Sequence, residues 1–219
     1  REKLSLLFSN FEIIELKHLD FEEAAGWIDA SLGKKFRNGF LRRMMLRLTN
    51  SHPYYLDVLL RRFRSLLAIQ GDVEVTQPMF VSCLEEELFD HRGVLYQHFL
   101  MQIFTVTRSR SSYSHGDVLL SLALGKKKMS QITKFLKKPS EEIKKIIHRL
   151  IQEQLIAKHG SFYDVTDSLF RFWLAEVYYR KRALFDLNVQ FSRNEFRASV
   201  SRWLDMLEKE DGKDLPLRI

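Results

Sequence analysis

The chain is poor in the residues that punctuate or cross-link a fold: its 219 residues include 9 Gly, 4 Pro and a single cysteine, Cys83. One cysteine cannot close an internal disulfide, and no Cys/His set stands at metal-ligand spacing. A secreted disulfide scaffold and a structural zinc site are thereby excluded, and a reducing cytoplasm is expected. Scarce Gly and Pro beside 45% hydrophobic and 29% charged residues exclude a collagenous, low-complexity or disordered chain. The usual signatures of catalysis are missing too: there is no Gly-x4-Gly-Lys-Ser/Thr phosphate loop, no GxGxxG, no GxSxG and no HExxH. No two of the seven His stand at i, i+4, so no catalytic or metal-binding residue is assigned. No apolar run approaches the roughly 20 residues that cross a bilayer, and the N-terminus lacks a signal-peptide pattern. The expectation is a soluble, cytoplasmic protein with no membrane segment.

Thirty-five basic residues exceed 28 acidic ones by seven, and the pI near 9.5 makes nucleic acid a reasonable partner without requiring one. At about 150 residues per domain, the length fits one large or two small domains. Phe11-Glu12-Ile13-Ile14-Glu15-Leu16 reads as one buried strand. Some ninety residues of helical pattern follow it, so its sheet is expected upstream of Arg1. Asp20 with Glu23 marks a helix start that Gly33 ends; further helices are expected from Phe36 to Thr49, from Pro53 onward, and from Gln77 to Thr107 with a bend near Gly93. The polar run Arg108 to Ser114 is the best domain boundary. Beyond it come helices at Asp117 to Leu124, Ser130 to Lys137 and Ser140 to Gln154. A hairpin follows, Leu155 to Lys158 and Phe162 to Val165 with Gly160 at its tip. Three helices and a hairpin is the winged-helix order. Asp167 to Glu210 is helical again, opening with aromatics (Phe170, Phe172, Trp173) at core spacing. The fold class expected is mainly α.

The segment Ser51-His52-Pro53-Tyr54-Tyr55 resembles the Gly-x-Pro element of the STAND branch of AAA+ ATPases, with Ser51 where Gly is usual. Glu12 to Trp27 resembles that family's junction between nucleotide domain and lid. Leu119 to Gly125 resembles the opening of its winged helix. Asp167 to Trp173 resembles the Asp-x-Leu-x-x-Phe-Trp stretch after the wing in archaeal-type ATPases of the class. The chain is thus similar to the lid plus winged-helix half of such an ATPase. The resemblance implies a remnant of the nucleotide-binding α/β domain at 1–16, a helical lid at 17–107, a winged helix at 108–185 and a C-terminal extension at 186–219. It also implies a P-loop domain before Arg1, so that ATP or ADP binds only with that domain present. Ser51, His52, Pro53 and Tyr54 would border the nucleotide: Pro53 would wall the adenine and the helix N-terminus would face the phosphates. The function implied is a nucleotide-dependent conformational switch.

A second set of candidates lies in the winged helix. Ile143, Ile146, Ile147, Leu150 and Ile151 form the buried stripe of its third helix. Lys144, Lys145, His148 and Arg149 then face outward, and Lys158 and His159 occupy the wing, a footprint suited to double-stranded DNA. Glu141 and Glu142 in the first turn oppose that reading. A free-standing winged-helix DNA-binding protein is therefore the alternative, and a protein-binding adaptor the third reading.

Overall fold

A computed structural model describes residues 18–71, 74–107, 113–185 and 191–211. The expected strand Phe11 to Leu16 and most of the boundary run Arg108 to Ser114 lie outside the described residues. Within them the protein is mainly helical, with one two-stranded antiparallel sheet. Among the described residues no helix is long and apolar enough to cross a membrane.

Local chemistry accounts for most boundaries. Helix α1 (Phe21–Leu32) opens on a reciprocal capping box, Glu23 N–H donating to Asp20 at 2.8 Å and Asp20 N–H to Glu23 at 3.1 Å. It stops at Gly33, whose φ is +55°. Helix α2 (Gly39–Thr49) starts three residues later than Phe36, because Asn38 caps it by accepting from Leu41 N–H at 3.0 Å; Phe36 is instead a buried packing residue ahead of it. Helix α3 (Pro53–Ile69) has Pro53 in its first turn.

The long helix expected over 77–107 is divided. Helix α4 (Gln77–Leu84) runs into a π-helical turn, Glu85–Phe89, and α5 (Val94–Thr107) begins after Gly93. Close approach explains the break: a Cβ on Gly93 would lie 2.5 Å from the carbonyl oxygens of Glu86 and Glu87. The π turn ends with carbonyls that need partners. Trp173 Nε1–H donates to Leu88 O at 3.0 Å and Lys181 to Phe89 O at 2.6 Å. Two of its three carboxylates are buried but paired, Glu85 with Arg197 and Arg193, and Glu87 with Arg62 and the Val94 N–H.

Helix α6 (Tyr113–Ala123) takes in the last residues of the expected boundary run. A bridge residue, Lys128, follows; then come α7 (Met129–Leu136), α8 (Ser140–Gln152), β1 (Ile156–His159) and β2 (Phe162–Val165). Three helices and a hairpin follow in the expected order, with Gly160 at φ +61° in the turn, and the Lys128 bridge is an addition to it. Helix α9 (Ser168–Trp173) enters a second π turn, Leu174–Tyr178, continuous with α10 (Tyr179–Phe185). Helix α11 (Arg193–Asp211) returns to pack its buried Phe196, Val200, Leu204 and Leu207 against α4 and the first π turn.

The buried residues form one cluster spanning both halves. Phe99 of α5 packs 5.3 Å from Phe170 and 5.7 Å from Trp173, centroid to centroid. The aromatics after the wing are core, as their spacing predicts, but they join the winged helix to the first helical unit rather than to the C-terminal helices alone.

Candidate functional site

The Ser51 segment is a tightly bonded turn. Asn50 and Ser51 both take left-handed backbone, at φ +49° and +53°, a conformation that costs an ordinary L-residue about 1–2 kcal/mol. It is held from several sides: Ser51 N–H donates to Leu46 O at 3.0 Å, Leu19 N–H to Ser51 O at 3.1 Å, and the His18 ring to Asn50 O at 2.7 Å. The double reversal releases the chain so that His52 caps α3. His52 Nδ1 accepts from Tyr54 N–H at 3.2 Å, which requires that nitrogen to be unprotonated. Burial holds the His52 ring below the usual imidazole range; the neighbouring His18 and His98 add to this and Asp167 opposes it.

This capping changes what the helix start can offer. Pro53 has no N–H and the Tyr54 N–H is already given to His52, so few first-turn amides remain for an anion. What the segment presents instead is ring surface. The His52 ring stacks on Tyr55 at 4.4 Å and lies edge-on to His18 at 5.0 Å, and Tyr54 lies 5.2 Å from His98. Beside Tyr54 is an open pocket of about 260 Å³, walled by Val58 and Val94 and by the Arg62–Glu87 pair. Among the described residues no group of three or more His, Cys, Asp or Glu is placed to hold a metal ion.

The decisive contact of the segment is made by its last residue, Tyr55. The Tyr55 hydroxyl donates to Asp167, 112 positions away, at the start of α9 just after the wing. The other oxygen of Asp167 accepts from Phe170 N–H at 2.9 Å and caps that helix. Burial, then the adjacent carboxylate, push the Tyr55 phenol far above its usual value, so it remains a donor. His98 touches the same group from α5; its pKa is lowered by burial, and Gln102 bonds it at 3.1 Å. His18, His98 and Asp167 thus join Ser51, His52, Pro53 and Tyr54, and spacing alone gives no signal for this meeting.

Three arginines of the first helical unit are committed to structure. Arg42 forms two 2.7 Å bonds to Asp29 and a third to Ala25 O, Arg61 pairs with Asp57, and Arg62 with Glu86 and Glu87.

In the unit of three helices and a hairpin the buried stripe of α8 is Ile143, Ile146, Ile147 and Leu150; Ile151, expected in the stripe, is exposed. Lys144, Lys145 and His148 are exposed and Arg149 half-buried. Lys144 is paired with Glu141 at 2.6 Å, Lys138 with Glu142 at 2.5 Å, and His148 is bonded to Gln152. Lys158 and His159 are exposed on β1, opposite Tyr163 and Phe162. The structure therefore brings helix and wing candidates to neighbouring elements, with part of the helix charge neutralised.

Comparison of the chain with models of known protein families, with characterised proteins and with solved structures returns no match. The functional reading rests on this geometry.

Proposed function

We propose that this chain is the lid and winged-helix portion of an ATP-binding ATPase of the STAND/AAA+ type, in which it acts as a nucleotide-dependent conformational switch. The observation that carries the reading is the Tyr55–Asp167 hydrogen bond. It ties the segment that resembles the family's nucleotide-bordering element to the first helix after the wing, so a ligand that displaces one moves the other. A switch needs such a contact, made in one state and altered in the other. The left-handed backbone at Ser51 supplies a physical reason for the Gly usual there, since Gly adopts that conformation without strain. With its first-turn amides largely used, the segment would hold a purine by the Pro53 ring and the aromatic rings around it. Phosphate binding and hydrolysis would belong to the P-loop domain.

The test uses the full-length gene product. A fluorescent ADP analogue is titrated into wild type and Pro53→Ala. Loss of one apolar wall is expected to weaken binding about tenfold, equivalent to ~1.4 kcal/mol. Limited proteolysis across 108–112 should also change with nucleotide. A full-length protein without a P-loop, or with Pro53→Ala affinity equal to wild type, would refute the proposal.

A further inference from the structure

The charge of the winged helix is not where the outward face of α8 suggests. Within α8 three cations (Lys144, Lys145, Arg149) meet two carboxylates (Glu141, Glu142), and a third, Glu153, follows at its C-cap, so little net charge is left on the helix. The wing and its bridge residues differ: Lys126, Lys127, Lys128 and Lys158 face a single carboxylate, Asp164. That carboxylate is enclosed by Lys127 at 2.5 Å and Arg171 at 3.2 Å. Lys126, Lys128 and Lys158 are thus left to set the potential of the wing.

Their arrangement is specific. The hairpin register pairs His159 with Phe162, and Lys128 bridges Phe162 from the other side. Directly paired residues share a face of a sheet, so Lys128, Phe162 and His159 form one cross-strand row next to the Gly160 turn. Phe162 is 46% exposed, with the Lys128 ammonium 5.1 Å from its ring centroid. On the opposite face Lys158 stands 6.0 Å from the Tyr163 ring. An exposed ring beside a lysine and a histidine, with a second lysine on the opposite face, at the tip of a narrow hairpin with no exposed carboxylate, matches a probe that pairs with phosphates and sets an apolar edge in a groove.

We infer that the wing tip, through Lys128, Phe162, Lys158 and His159, is a contact surface for double-stranded DNA, and that α8 contributes little. This does not depend on the nucleotide reading above.

The test is fluorescence anisotropy of the 219-residue chain with a 20-base-pair duplex over a range of salt. Each phosphate contact contributes about 0.9 to the slope of log affinity against log salt. Lys128→Glu with Lys158→Glu should therefore lower the slope by about 2 and, from counterion release alone, weaken binding about 60-fold at 0.1 M salt. Phe162→Ala should cost at least about fivefold with the slope unchanged. Lys145→Glu with Arg149→Glu, on α8, should cost less than the wing pair. All substituted side chains lie outside the buried core, and matching circular dichroism melts establish that each variant is folded. Salt-dependent binding lost only in the wing variants supports the inference. No binding to duplex, a larger loss from the helix pair, or equal binding to a single strand of the same length overturns it.

Discussion

Replacing Tyr55 by Phe removes one oxygen atom and, with it, the bond that joins two distant parts of the chain. The ring is only 3% exposed and its packing against His52, His98 and Phe99 is retained in Phe, so the measured loss reports the hydrogen bond. A bond to a charged acceptor contributes about 1.5–3 kcal/mol net. Asp167 keeps the Phe170 N–H and some contact with solvent, so the lower end applies, about 1.5 kcal/mol. Asp167→Ala costs more: it loses the same bond and a helix cap worth about 1 kcal/mol, and it strips the buried Tyr55 hydroxyl of this acceptor, for a total of roughly 3–4 kcal/mol. Asp167→Asn keeps the cap and should fall between. Urea denaturation followed by circular dichroism measures each loss, and a double-mutant cycle should return a coupling near ~1.5 kcal/mol. In a thermal melt Tyr55→Phe should lower Tm by about 3–6 °C. Tyr55→Phe within about 0.5 kcal/mol of wild type would show that the bond does not hold the two units together.

Gly93→Ala should destabilise by at least ~2 kcal/mol, because its Cβ would strike two backbone carbonyl oxygens at 2.5 Å and neither is the end of a flexible side chain; a melt indistinguishable from wild type would contradict the close approach. Ser51→Gly should instead stabilise by about 0.5–1 kcal/mol, the left-handed strain relieved less the added chain entropy, and a lower Tm would count against the strained turn. His52 and His98 are both held below the unfolded imidazole value near 6.5. Above that pH their contribution is fully present. As pH falls through 6.5 the unfolded chain takes up protons first, so stability is lost progressively toward the lower folded values. Melts at pH 7.5 and 5.5, above the carboxylate range, should show the fall, and His52→Asn with His98→Gln should flatten it.

Several elements were legible because their causes lie within four residues. Asp20 and Glu23 announce α1, Pro53 announces α3, and the Ile143 to Leu150 stripe shows which face of α8 is buried. The hairpin follows from apolar runs either side of Gly160. Where the pattern misled, a distant group intervened. The helix expected to bend near Gly93 is instead divided there by the close approach of its backbone to the first π turn, whose last carbonyls are taken by Trp173 and Lys181, some ninety residues away. The pairing of Lys144 with Glu141, and of Glu142 with Lys138 ahead of the helix, adds to the α8 footprint a partial neutralisation that only the folded side chains show.

The sequence by itself determined the mainly helical class, the order of helices and wing, and the place of the Ser51 turn, since capping, periodicity and turn chemistry are local. Only the tertiary structure decided that Tyr55 meets Asp167, that Glu85 and Glu87 are buried as ion pairs, and that Lys128 is set against Phe162 of the hairpin. Those facts depend on which residues, 25 to 112 positions apart, are brought together when one apolar core closes over both halves of the chain.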